Sequence, residues 1–135
     1  MSTSSRVLVA GEGQGEVLHL GEGISFWGAV DPLNGTIIDQ RHPMAGQGIG
    51  ARVLVMNRAV GSSSGSAILL ETLHRGCGPA GIVLAEADQI LTLGAVVARE
   101  MGYGVIPVVQ LDAVFFERLS GVVSIDSEGI IESVR

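Results

Sequence analysis

Residues 52–74 read Arg52-Val53-Leu54-Val55-Met56-Asn57-Arg58-Ala59-Val60-Gly61-Ser62-Ser63-Ser64-Gly65-Ser66-Ala67-Ile68-Leu69-Leu70-Glu71-Thr72-Leu73-His74. Arg52 to Met56 is a continuous apolar run, the pattern of a strand buried on both faces. Ser64 to His74 places Ala67, Ile68, Leu69 and Leu73 on one helical face. Gly76-Cys77-Gly78-Pro79 supplies the residues that stop a helix. A buried strand, a glycine–serine turn and an amphipathic helix make the opening of a βαβ unit.

The pattern repeats downstream. Gly81 to Ala85 is a second buried strand, and Asp88 is a candidate cap for a helix through Arg99. Val105 to Val109 is a third strand, and Asp112 can cap a short helix through Leu119. Val122–Ile125 and Ile130–Val134 read as a hairpin around Asp126-Ser127-Glu128-Gly129. Upstream, Arg6–Ala10, Glu16–Leu20 and Phe26–Val30 read as short strands. Asp31-Pro32-Leu33-Asn34-Gly35 turns the chain back into Thr36–Asp39. Residues 40–50 hold Arg41, His42, Pro43 and several glycines, and read as a loop. The expectation is one α/β domain over 1–135, with N-terminal hairpins adding antiparallel strands to a partly parallel sheet folded toward a barrel.

Composition narrows the function. The 135 residues carry a net charge of −6, and all eight basic residues are arginines scattered along the chain. No basic stripe marks a nucleic-acid surface. No apolar run is long enough to span a bilayer, and Met1 to Ser5 does not resemble a signal peptide. Cys77 is the one cysteine. It can form neither an internal disulfide nor a multi-cysteine metal site, which fits a reducing cytoplasm. A small, partly buried thiol is the simple reading of it.

Chemistry concentrates in Gly61–Ala67. The first N–H groups of a helix lack partners within it and, with the helix dipole, favour an anion. Three readings are open: serines that cap a helix, a site for a phosphate or carboxylate, and catalysis by one serine. Gly61-Ser62-Ser63-Ser64-Gly65 formally matches the G-x-S-x-G elbow, but that machinery needs a later histidine close by. His74 is the one histidine downstream, roughly 15 Å along the same helix, which argues against a serine hydrolase. The P-loop lysine is missing too.

The same residues carry a resemblance. Gly61 to Ala67 looks like the serine loop of the aconitase swivelling domain, which reads Gly-Ser-Ser-Arg. With Ser25-Phe26-Trp27-Gly28-Ala29-Val30-Asp31-Pro32, Ile38-Asp39-Gln40-Arg41-His42-Pro43 and Gly46-Gln47, the chain resembles the stand-alone small subunit of the aconitase X family over nearly its whole length. The resemblance implies a single swivelling β/β/α domain, with a mixed sheet or partly closed barrel and flanking helices. It implies a hydro-lyase completed by a large subunit that holds iron or an iron–sulfur cluster through its own cysteines. No metal is expected on this chain.

By position, Ser62 corresponds to the serine that removes the substrate proton. Gly61, Ser63 and Ser64 would bind substrate. Where aconitase has a carboxylate-binding arginine this chain has Ser64; Arg58 is the candidate replacement, against a solvated or ion-paired role. His42 is a candidate catalytic or orienting group, although a hydrogen-bonded structural histidine is the simpler reading. Asp31 and Asp39 are explained by turns, and Trp27 by packing under the loop or against the partner.

The resemblance points to dehydration of cis-3-hydroxy-L-proline to Δ1-pyrroline-2-carboxylate, with the lysine-free composition leaning toward the bacterial members. Mevalonate 5-phosphate is the alternative substrate. A non-catalytic swivelling module that binds an anion or partner is the alternative of another class. A phosphohistidine-type mobile domain would need a histidine in 61–67, where there is none.

Overall fold

The computed structural model describes residues 2–134. The expectations over Met1–Ser5 and 1–135 include Met1 and Arg135, which lie outside them. In chain order the elements are β1 (Ser2–Ser4), β2 (Arg6–Val9), β3 (Gly13–His19), a kinked turn α1 (Phe26–Ala29), β4 (Val53–Met56), α2 (Gly65–His74), β5 (Gly81–Leu84) and α3 (Gln89–Glu100). Then come β6 (Val108–Gln110), a 3-10 helix over Ala113–Arg118, β7 (Val122–Ile125) and β8 (Ile130–Ser133).

β3, β4, β5 and β6 are parallel neighbours, as the βαβ reading requires. β7 joins β3 from the other side, antiparallel, and β8 and β1 follow. β2 pairs antiparallel with β6 at the opposite edge, with a register shift between Val7 and Val9. The eight strands thus form one mixed sheet in the order β1-β8-β7-β3-β4-β5-β6-β2. Its two outer strands, β1 and β2, are consecutive in the chain with Ser5 alone between them. Adjacent Cα atoms lie about 3.8 Å apart, so the sheet must curl until its edges nearly meet. Ser5 pins that corner: its N–H and its hydroxyl both donate to the Gly129 carbonyl, at 3.0 and 2.6 Å. The expected mixed, partly closed barrel is the observed architecture.

The period-2 geometry of strands sorts side chains into two cores. Leu54, Met56, Ile82, Leu84, Leu18, Leu20 and Val108 pack with Leu69, Leu91 and Ala95 of the helices. Val53, Val55, Val83, Val109 and Val17 face the other way, onto Val123, Ile125, Ile131 and Leu119. The larger side chains meet the helix layer, and the compact valines fill the inside of the curl. This two-sided burial explains the unbroken apolar runs. Gly94 lets α3 approach α2, because a Cβ there would stand 2.9 Å from the Ser66 carbonyl oxygen. Asp88 caps α3, accepting from the Leu91 N–H at 2.6 Å, a contact worth about 1 kcal/mol.

Several expectations are corrected. Phe26–Val30 is no strand: Gly28 has φ +88° and the segment forms the kinked turn α1, burying Phe26 and Ala29. Val30 and Thr36–Ile37 contribute isolated bridges (Val30 to Ile37, Thr36 to Gly48), not a ladder. The first two strands do not form a hairpin, since β2 and β3 have different partners. β6 starts at Val108, after Pro107, and α2 starts at Gly65. The apolar face of α2 omits Ala67, which is exposed, and includes Thr72, which is buried. Thr72 satisfies its hydroxyl on the Leu69 carbonyl at 2.7 Å. β1 had no sequence signal, because Ser2-Thr3-Ser4 is polar and pairs only through its backbone.

Candidate functional site

The C-terminal ends of parallel strands are where open α/β sheets bind ligands. Here the hydrogen bonding continues past the strands. Asn57 N donates to Gly21 O (3.0 Å), Arg58 N to Glu22 O (3.2 Å) and Glu86 N to Asn57 O (2.8 Å). Residues 21–22, 57–58 and 86 therefore hold fixed backbone places on one rim.

From that rim the chain runs into the serine loop. Gly61 has φ +95°, and a Cβ on it would collide with the Ser25 side chain. Both constraints demand glycine. Ser25 is itself fixed, its hydroxyl donating to Trp27 O at 2.9 Å. Gly61→Ala is expected to displace the loop at a cost of roughly 1–2 kcal/mol of stability, read from a denaturant melt; an unchanged unfolding midpoint would overturn it.

Ser62, Ser63 and Ser64 are exposed and form the turn that leads into α2. Gly65 N donates to Ser62 O, Ser66 N to Ser63 O, and Ala67 N to Ser64 O. Ser62 Oγ accepts from Ser64 N at 3.3 Å. Such a donor favours the deprotonated form of the hydroxyl over the neutral one. The N–H groups of Ser62 and Ser63 have no acceptor among the described residues, so they are available to an anion. Ser64 occupies the cap position without a side-chain capping bond. The local turn bond accounts for the Ser62 hydroxyl, and the Ser64 hydroxyl makes no capping bond. Ser66, by contrast, is used locally, donating to Ser63 O at 2.9 Å.

Arg58 is exposed and makes no ion pair or side-chain hydrogen bond among the described residues. It lines a cleft of roughly 180 Å³ with Glu22, Asn57, Ala85, Glu86 and Ala113. Glu22 Oε1 accepts from Asn57 Nδ2 at 2.9 Å. Sequence reasoning passed over Glu22, Asn57 and Glu86. The only available signal was Gly21-Glu22-Gly23 at a strand end.

His42 lies on a different groove, of roughly 500 Å³, with His19, Leu20, Glu22, Pro43 and Met44. Its Nδ1 accepts from Met44 N at 3.0 Å, which is a structural, loop-closing role. No hydrogen bond joins it to Ser62 among the described residues. His19 is held by a 2.8 Å bond between Nε2 and Leu119 O. Asp39 accepts from the Arg41 N–H and guanidinium, which holds its carboxyl below the ordinary value. Asp31 accepts from Leu33 N at 2.9 Å, so both aspartates serve turns. Trp27 is 60% exposed and does not pack under the loop. Cys77 is half-buried, its thiol 3.6 Å from Pro32 O. His74 stacks on Tyr103 at the far end of α2, with ring centroids 4.3 Å apart.

No group of three or more His, Cys, Asp or Glu is placed to hold a metal ion among the described residues. The donor set here does not fit an iron or iron–sulfur site. No helix among the described residues is long and apolar enough to cross a membrane.

Comparison with known proteins places this arrangement. Residues 2–133 match the family model of the aconitase X swivel domain. A cis-3-hydroxy-L-proline dehydratase of Pseudomonas aeruginosa is 44% identical over 112 residues, 83% of this chain. The chain spans only about a fifth of that relative, 19% of its length. The phosphomevalonate dehydratase small subunit of Methanothermobacter thermautotrophicus is 38% identical over 73% of this chain and 75% of its own. The crystal structure of holo aconitase X from Thermococcus kodakaraensis superposes with a TM-score of 0.87 at 29% identity, covering 100% of this chain and 99% of that one.

Proposed function

Because the chain belongs to the aconitase X swivel-domain family, we propose that it is the small subunit of a hydro-lyase that dehydrates cis-3-hydroxy-L-proline. The observation that carries this reading is the serine turn. Ser62 Oγ already accepts one backbone N–H, two more N–H groups are free beside it, and all sit before an α-helix at a strand's end. The greater identity to the hydroxyproline enzyme favours that substrate. Mevalonate 5-phosphate stays as the second reading because of the archaeal small subunits.

The chemistry fits a site shared between two bodies. In cis-3-hydroxy-L-proline the hydroxyl and carboxyl lie on one ring face, so the C2 hydrogen lies on the other. Loss of water is then an anti elimination. Ser62 takes the C2 proton from one face, the C2–H electrons form the new double bond, and the C3–O bond breaks on the opposite face. The resulting enamine tautomerises to Δ1-pyrroline-2-carboxylate. Serine is a weak base at neutrality. The N–H donors of the turn and the helix dipole favour its alkoxide, and exclusion of water by a closing partner strengthens those contacts while leaving the alkoxide less solvated and more basic. Arg58 supplies the cation for the substrate carboxylate, in place of the arginine that Ser64 lacks.

The leaving hydroxyl needs a Lewis acid. Iron or an iron–sulfur cluster would supply that chemistry from a large subunit, since the described residues here do not form such a site. The reading places the complex in the cytoplasm, where a lone free thiol is stable. The partner has a landing point in Trp27, exposed beside Ser25 and the serine loop. Exposed tryptophans of this kind anchor interfaces. Trp27→Ala is expected to weaken subunit association by about thirtyfold or more, read by calorimetric titration, with the melting of the isolated chain unmoved. An unchanged association constant would remove Trp27 from the interface.

The test of the function is anaerobic assay of the co-purified complex on cis-3-hydroxy-L-proline and on mevalonate 5-phosphate. Turnover of the first supports the proposal. Turnover of the second alone corrects the substrate. An iron-free, inactive assembly would leave the chain as a binding module.

A further inference from the structure

Glu22, Arg58 and Glu86 line one cleft on the sheet rim, and their backbones are locked together by the hydrogen bonds that extend β3, β4 and β5. All three side chains are exposed; Arg58 forms no ion pair, and neither glutamate comes within 4.0 Å of a cation among the described residues. The positive and negative groups stand apart around an open space of roughly 180 Å³.

A ligand that fits such a space carries both charges itself. We propose that this cleft recognises a zwitterion, with Arg58 taking the α-carboxylate and Glu22 the secondary ammonium of a cyclic amino acid. This deepens, and rests on, the hydroxyproline reading of the serine site four residues further on. Glu22 is the better ammonium partner than Glu86, because Asn57 Nδ2 on Oε1 orients its carboxylate and leaves the other oxygen free. A phosphorylated hydroxy acid has no cation to offer Glu22 and would meet repulsion from two carboxylates, so Glu22 sets the substrate class.

The test uses the assembled complex and two competitive inhibitors of one shape: L-proline and (S)-tetrahydrofuran-2-carboxylate, in which ring oxygen replaces the ammonium. The native complex is expected to bind L-proline about tenfold more tightly. Glu22→Gln keeps an Oε1 acceptor for Asn57 and removes only the charge. It should erase that preference and raise KM for cis-3-hydroxy-L-proline about tenfold, with a smaller change in kcat. Equal binding of the two inhibitors by the native complex would overturn the inference while turnover of hydroxyproline left the function standing. A preference that survives Glu22→Gln would assign the ammonium to another residue and also overturn it. A complex that neither turns over hydroxyproline nor binds L-proline would sink both.

Discussion

Ser62→Ala in the assembled complex is expected to lower kcat by about 10³-fold or more, with assembly and substrate binding kept. A positioned general base contributes about 10²–10⁴-fold, and among the described residues no other titratable side chain is hydrogen-bonded to the serine turn. His42 spends its Nδ1 on Met44 N and has no bond to the serine turn. Nothing in the fold depends on the Ser62 hydroxyl beyond one 3.3 Å bond from Ser64 N. Ser62 is exposed, so the alanine leaves no cavity and the melting curve should not move. Losses in kcat and kcat/KM should be equal, the mark of an interaction made only in the transition state. The discriminating measurement is single-turnover kinetics beside an equilibrium binding assay. Turnover retained within a few-fold would make the chain a binding module and retire Ser62 as a base.

Gly13→Ala is expected to cost the fold about 3 kcal/mol or more, enough to leave a domain of this size partly unfolded. Gly13 does not need a left-handed conformation. The obstacle is space: a Cβ would drive into the Ala80 carbonyl oxygen, with the Pro107 ring 3.2 Å away. Backbone atoms cannot rotate aside as a side chain does. β3 pairs with β7 at Gly13 and with β4 further along, so displacing it opens the curl at the strand shared by both halves. Gly48→Ala is the control. That site has open space around it and no positive φ, so the substitution should be neutral or stabilise by a few tenths of a kcal/mol. Equal urea midpoints for the two variants would show that β3 can retreat from Ala80, and that the close approach is not what holds the barrel shut.

The glycine–serine motif was legible in the sequence because it is local. A strand, a turn and a helix within 23 residues show in apolar spacing alone, and the serine positions follow from where the helix must begin. Ser62 needed no tertiary information to become a candidate. The same holds for Asp88, Asp112 and Asp126, whose capping and turn bonds reach only two to four residues. Phe26–Val30 misled because its apolar residues mimic a short strand, while the deciding fact is a backbone one, Gly28 at φ +88°.

What the sequence by itself determined is the parallel core: three apolar runs of strand length, with helices between them, admit few other folds. Only the tertiary structure decided the rest, and the physical reason is the same in each case. β1 joins a sheet through backbone groups that every sequence carries. β3 is shared between a parallel and an antiparallel neighbour because Gly13 and Gly15 let two carbonyls come close. Glu22, Arg58 and Glu86, separated by 36 and 28 positions in the chain, face one cleft because three strand ends are laced together. No spacing along the chain encodes such meetings, since they depend on which strands pair.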